Sequence, residues 1–129
     1  MNNEYIYFTE DKSAPYSDAV RVGDMLYLSG LVSENPETRE EMYGDITFET
    51  KTTLDNLKLF LEQNGSDMDH VVRIDVLLKD FADKAAMNAE YVKHFAKDHV
   101  PARLCYGGVD LSGECKIEIA VVAVRKKLS

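Results

Sequence analysis

Two charged residues of this chain stand among apolar, strand-forming neighbours: Arg103, which follows Pro101-Ala102, and Glu118, in the run Lys116-Ile117-Glu118-Ile119. A planar guanidinium can grip a carboxylate through two parallel charge-assisted hydrogen bonds, so Arg103 is a candidate anchor for a small carboxylate substrate. Its place at the start of a strand fixes its backbone and lets the side chain reach a strand-end cleft. For an arginine without further context, a surface salt bridge is the commoner role. Glu118 lies on the strand face that continues into Ala120, Val122 and Val124, which predicts a partly desolvated carboxylate. Burial raises a carboxyl pKa and a nearby arginine lowers it. A glutamate poised in this way can orient or deprotonate an attacking water. An edge carboxylate in water, with a lysine as neighbour, fits the local sequence equally well.

The remaining reactive residue types form no recognisable constellation. Cys105 invites a nucleophile reading, but no histidine stands at a distance that links to it, and a buried strand cysteine is the commoner case. Cys105 and Cys115 are ten residues apart, which fits neither a CxxC redox motif nor paired zinc ligands, and two cysteines make no disulfide framework. His70, His94 and His99 have no ligand spacing and read as surface residues. Asn88 is a poor helix former inside an apparent helix, which a specific contact or simple exposure would each explain.

The elements that must position these residues follow from periodicity. Tyr5–Phe8 reads as a strand, followed by a polar, turn-prone stretch through Pro15 and Tyr16. Ala19–Val22 and Met25–Ser29 read as a hairpin joined by Gly23-Asp24, with Gly30 ending the second strand. Residues 35–43, including Glu40-Glu41, read as an exposed loop. Leu54, Leu57 and Leu61 repeat at three and four, which predicts a helix from about Phe48 to Gln63 that stops at Asn64-Gly65. Val72, Ile74, Val76 and Leu78 alternate, as in a strand. Met87, Tyr91 and Phe95, spaced by four, predict a second helix from about Ala82 to Lys97, with Pro101 beyond its end. Strands over Ala102–Tyr106 and Cys115–Arg125 complete the chain.

Three strands, helix, strand, helix and two strands predict an α+β fold in which each helix crosses between strands of one mixed sheet. Two helices cover only one face. Ile117, Ile119, Val121 and Ala123 alternate with Ala120, Val122 and Val124, so the last strand is apolar on both sides beyond Glu118. A second copy of the chain is the simplest cover for that other face, which predicts a homo-oligomer.

Composition narrows the function classes. The 129 residues suit one domain, and 45% hydrophobic with 29% charged residues suits a packed core. The start Met1-Asn2-Asn3-Glu4-Tyr5 lacks the basic and apolar segments of a secretory signal, and no apolar run approaches the roughly 20 residues of a membrane span. The expectation is a soluble, cytoplasmic protein. With 23 acidic against 15 basic residues the net charge is -8, which disfavours a phosphate backbone as partner. The one basic run, Arg125-Lys126-Lys127, reads as a solvated strand end.

Across about nine-tenths of its length the chain resembles the RidA/YjgF family. The resemblance is carried by Ala14-Pro15-Tyr16, Leu28-Ser29-Gly30, Asn56-Leu57-Lys58, Val76-Leu77-Leu78-Lys79-Asp80, Met87-Asn88-Ala89-Glu90-Tyr91, Pro101-Ala102-Arg103-Leu104-Cys105 and Lys116-Ile117-Glu118-Ile119. It implies a chorismate-mutase-like fold, one domain over residues 1–129, with two helices packed on one face of a mixed sheet, assembled as a homotrimer with clefts between subunits. It also implies hydrolytic deamination of reactive 2-enamine and 2-imino acids, such as 2-aminoacrylate or 2-iminobutyrate, to 2-keto acids and ammonia, without cofactor or metal. In that reading Arg103 holds the substrate carboxylate and Glu118 serves the water. Cys105 offers its main chain to the substrate nitrogen, Tyr16 closes the cleft, Ser29 and Gly30 line it, and Asn88 makes a substrate contact. Leu31, Tyr106-Gly107-Gly108, Leu111-Ser112-Gly113 and Ala120 depart from the family's usual residues, and the first two of these bear on pocket size. Two rival functions share the cleft: a trimeric keto-acid-binding regulator without turnover, and an endoribonuclease, against which the acidic balance and the lack of a basic stripe with interleaved aromatics argue.

Overall fold

The computed structural model describes residues 4–126. Six strands, β1 (Tyr5–Phe8), β2 (Ala19–Val22), β3 (Met25–Leu31), β4 (Val71–Leu78), β5 (Ala102–Tyr106) and β6 (Ile117–Val124), form one sheet in the order β1-β2-β3-β6-β4-β5. Only β4 and β5 run parallel, and the helix between them makes the crossover. Helix α1 (Ile46–Gln63) connects β3 to β4, and the last strand slots between them.

Local chemistry sets where the elements begin and end. The β2–β3 turn is the two-residue Gly23-Asp24 connection, with Val22 facing Met25 and Gly23 at φ 58, where glycine carries no steric penalty. Helix α1 starts two residues before the sequence-based boundary, because Asp45 accepts a hydrogen bond from the Phe48 N–H at 2.8 Å. It stops where the Asn64 and Ser66 N–H groups return to the Leu61 carbonyl around Gly65, at φ 78. The second helix is shorter than its apolar spacing predicts. Helix α2 covers Lys84–Tyr91, flanked by 3-10 turns at Phe81–Asp83 and Val92–His94, and Phe95 is extended. Strand β3 continues through Gly30 to Leu31 by way of a register shift, and β6 begins at Ile117, not at Cys115.

The core lies between the helices and one face of the sheet. Ile46, Leu54, Leu57 and Leu61 of α1 and Met87 and Tyr91 of α2 bury against Leu26, Leu28, Ile74, Val76, Leu78, Ile117, Ile119 and Val121. Burying a side chain of this kind contributes about 1.5–3 kcal/mol. The opposite sheet face has no cover within the described residues. Along β6 the alternation is strict, with Ile117, Ile119, Val121 and Ala123 buried and Glu118, Ala120, Val122 and Val124 half-buried. Tyr5, Tyr7, Tyr27, Leu104 and Tyr106 are exposed on that same open face. Among the described residues no helix is long and apolar enough to cross a membrane.

Candidate functional site

The ladder register decides which face each candidate occupies. Arg103 pairs with Ile74, which pairs with Val121, and these are core-facing positions. Arg103 therefore points to the helix side. Its Nη1 donates to Asn88 Oδ1 at 2.7 Å, lies 4.0 Å from Met87 Sδ, and its guanidinium carbon stands 4.8 Å from the Tyr91 ring centroid. One turn of α2 thus supplies a hydrogen-bond acceptor, a sulfur and an aromatic face to a single arginine. Arg39, Arg73 and Arg125 each reach a carboxylate. Arg103 is half-buried and has no carboxylate partner among the described residues.

The Asn88 side chain is thus engaged with Arg103. Met87 and Tyr91, which the sequence marks as an apolar stripe, also form the platform behind the guanidinium. Burial pushes the Tyr91 phenol up to about 12, against the pull of the Arg103 charge. Cys105 sits two residues along β5, half-buried against the core, on an edge strand whose outer side pairs with no strand among the described residues.

Glu118 belongs to the other face. It pairs with Leu77, which pairs with Tyr106, and that row is open. Its carboxylate rests against the backbone of Gly30: a Cβ built at Gly30 would lie 2.0 Å from Glu118 Oε2, so any side chain at this position would have to displace the Glu118 carboxylate. Burial, with the Glu41 carboxylate nearby, raises the Glu118 pKa above the ordinary glutamate value. Glu41 accepts hydrogen bonds from the Tyr43 hydroxyl and from Cys115 Sγ, the latter at 3.3 Å. Read from the sequence, Glu41 is a loop residue and nothing more. No periodicity links it to Glu118, because their proximity depends on how the 33–43 loop folds back to reach Cys115 just before β6. Burial, and the bond to Glu41, push the Cys115 thiol up to about 12, which leaves it protonated and unreactive.

Ser29 and Gly30 line a cleft of about 440 Å³ together with Tyr16, Leu31 and Phe60. Ser29 Oγ donates to the Ser17 carbonyl at 2.6 Å, and Ser29 N–H to the Asp18 carbonyl at 2.9 Å, so the β1–β2 loop that carries Tyr16 is tied to β3. The Tyr16 ring itself is exposed. Leu31 is half-buried at this cleft, while Tyr106 faces outward on the open face and Gly107 leaves room for Phe81, whose Cβ would lie 2.2 Å from an added methyl.

The candidates therefore fall into two clusters. Arg103, Asn88 and Cys105 lie on the helix side at the β5 edge, and Tyr16, Ser29 and Gly30 line the cleft beside α1, with Glu118 meeting Gly30 from the open face. One histidine differs from its sequence reading: His94 is largely buried and shares a 2.7 Å hydrogen bond with Glu90. His70 and His99 are more exposed, each beside an aspartate. No group of three or more histidine, cysteine, aspartate or glutamate side chains among the described residues is arranged to hold a metal ion.

Comparison with known proteins gives a consistent result over nearly the whole chain. Residues 9–125 match the family model described as Endoribonuclease L-PSP. A RutC family protein of Pyrococcus abyssi is 35% identical over 124 residues, covering 94% of this chain and 97% of the other. A 2-iminobutanoate/2-iminopropanoate deaminase of Dermatophagoides farinae is 34% identical over 110 residues, 85% of each chain. Among solved structures, a member of the YjgF protein family from Neisseria meningitidis superposes with a TM-score of 0.82 at 31% identity, covering 97% of this chain and 98% of that one.

Proposed function

The chain belongs to the Endoribonuclease L-PSP (YjgF/RidA) family, and from that premise we propose that it hydrolyses 2-imino acids to 2-keto acids and ammonia, at sites completed by a second copy of itself. The observation that carries this reading is the state of Arg103: held by Asn88 and Tyr91, half-buried, and without a carboxylate partner among the described residues. A partly desolvated guanidinium fixed in this way favours a carboxylate ligand, and one edge of its fork remains for a bidentate grip. Any imine beside a carboxylate presents the same geometry, so the reading defines a substrate class and not one member of it.

The chemistry then follows from the second cluster. Water adds to the imine carbon, and Glu118 accepts its proton, aided by a pKa raised through burial and the Glu41 charge. Glu118 returns that proton to the nitrogen to complete a neutral carbinolamine, then takes the carbinolamine's hydroxyl proton and passes it to the nitrogen as the C–N bond breaks, leaving a C=O and free ammonia. Main-chain groups at Cys105 orient the substrate nitrogen, and Tyr16, Ser29 and Gly30 enclose the other side. Because Arg103 and Glu118 face opposite sides of the sheet within one chain, a single small substrate meets both only if they come from two copies. The open face, apolar along β6 and bearing exposed tyrosines, is the surface we assign to that contact, in a trimer.

The decisive experiment generates 2-iminobutyrate in place with a threonine dehydratase and follows keto-acid release. Release faster in the presence of this protein is the expected result. Binding of 2-ketobutyrate with no acceleration would instead make the chain a keto-acid-binding regulator, and RNA cleavage lost in Arg103→Ala would support the nuclease reading.

A further inference from the structure

Arg39 is the one non-glycine residue with positive φ among the described residues, at 66°. A side chain there is unfavourable, and such a conformation persists only where surrounding contacts determine it. The loop that presents it is tightly made: Asn35 Oδ1 accepts from the Glu37 and Thr38 N–H groups at 2.9 and 3.1 Å, and Arg39 N–H donates to the Asn35 carbonyl at 2.8 Å. The guanidinium meets three carboxylates from three segments. It pairs with Glu10 in the β1–β2 loop, with Asp18 at 3.3 Å just before β2, and with Glu34 at 2.9 Å just after β3.

The β1–β2 loop, residues 9–18, is a strap closed at its neck. Asp18 N–H donates to the Phe8 carbonyl at 2.7 Å, the Thr9 and Ser17 hydroxyls lie 3.0 Å apart, and Glu10 N–H reaches Asp18 Oδ2 at 3.1 Å. Tyr16 sits on this strap, and Ser17 and Asp18 hold Ser29 beside Gly30. Isolated surface ion pairs contribute little, but one cation shared by three carboxylates differs in kind, because without it the three negative charges repel one another across the strap's neck.

We propose that Arg39 is a positioning residue that clamps the 9–18 strap against the segment after β3, so that Tyr16 is held over the Ser29–Gly30 end of the cleft. This rests on the proposed function, in which Tyr16, Ser29 and Gly30 enclose one side of the substrate. The clamp also explains why an arginine occupies a backbone conformation that glycine adopts freely: the left-handed turn directs the side chain back between Glu10, Asp18 and Glu34.

The test uses the intact protein and two variants, with two independent readouts. Arg39→Gly removes the clamp and relieves the backbone, so folding is not what fails; Arg39→Lys keeps a charge that reaches one carboxylate at a time. Amide hydrogen exchange over residues 10–17 is expected to speed by about tenfold in Arg39→Gly and less in Arg39→Lys, and salt at about 1 M should move the native protein the same way. With 2-iminobutyrate, KM should rise about three- to tenfold while kcat stays within about twofold, as expected when substrate enclosure is lost but the reacting groups are not. Unchanged exchange in Arg39→Gly overturns the clamp, and faster exchange with unchanged KM overturns its role in positioning Tyr16. If the native protein turns over no imine, the proposed function falls, while the exchange measurement still decides whether Arg39 holds the strap.

Discussion

Arg103 and Glu118 face opposite sides of the same sheet. Their ladder rows, through Ile74 and Leu77, are three positions apart along β4, which is roughly 10 Å, and the strands that carry them are separated by β4 itself, roughly another 10 Å. A three- or four-carbon imino acid cannot touch both in one chain. On the proposed function, the two residues act on one substrate only across a subunit boundary.

That geometry predicts complementation. Arg103→Ala and Glu118→Gln should each be inactive as pure proteins. Unfolded together and co-assembled in equal amounts, they should recover about a quarter of the native activity, because one site in four receives an intact Arg103 from one copy and an intact Glu118 from its neighbour. No recovery in verified mixed trimers would place the site within a single chain.

The bidentate grip predicts that Arg103→Lys fails nearly as badly as Arg103→Ala. An ammonium keeps the charge but not the planar fork. Leaving a desolvated carboxylate without its partner costs on the order of 3–5 kcal/mol, so kcat/KM should fall by more than about a hundredfold. Sedimentation must first show that the variants assemble as the native protein does.

Glu118→Gln separates binding from chemistry. Keto-acid affinity should survive while kcat drops by about 10²- to 10⁴-fold, the range expected for a lost general base. A native rate in this variant would shift the role to a water held by main-chain groups near Cys105.

The raised pKa of Glu118 has a direct pH consequence. A general base works when ionised, so activity should fall as pH drops through the Glu118 pKa, at a higher pH than an ordinary glutamate would give. Glu41→Gln removes a negative neighbour, lowers that pKa and should move the acid limb of the kcat profile to lower pH. An unmoved limb would detach Glu41 from the site.

Asn88 acts on Arg103, so its loss should weaken the grip without removing it. A hydrogen bond to a charged group contributes about 1.5–3 kcal/mol, which predicts a loss of about 10- to 100-fold in kcat/KM for Asn88→Ala. Tyr91→Leu, which deletes the aromatic face, should cost less, because a half-exposed cation–π contact contributes about 0.5–1 kcal/mol. Keto-acid titration of both variants gives the affinities directly.

Much of this protein is set by its sequence alone. Periodicity of three and four marks α1, and period two marks β4 and β6, because helices and strands expose side chains at those intervals whatever their surroundings. The two-faced apolar pattern of β6 likewise demands more cover than two helices on one side of a sheet can supply. The length of α2 was not legible: Met87, Tyr91 and Phe95 keep a helical spacing, yet the chain turns 3-10 at Val92 and is extended at Phe95, since spacing records which residues are buried and not the backbone path between them. Nor could any local pattern place Arg39 among Glu10, Asp18 and Glu34, bring Glu41 toward Glu118, or show that Arg103 and Glu118 turn away from each other. Those relations depend on strand order and register, and in a sheet where the last strand enters between β3 and β4, residues far apart in the chain become neighbours while the parity of each position chooses its face.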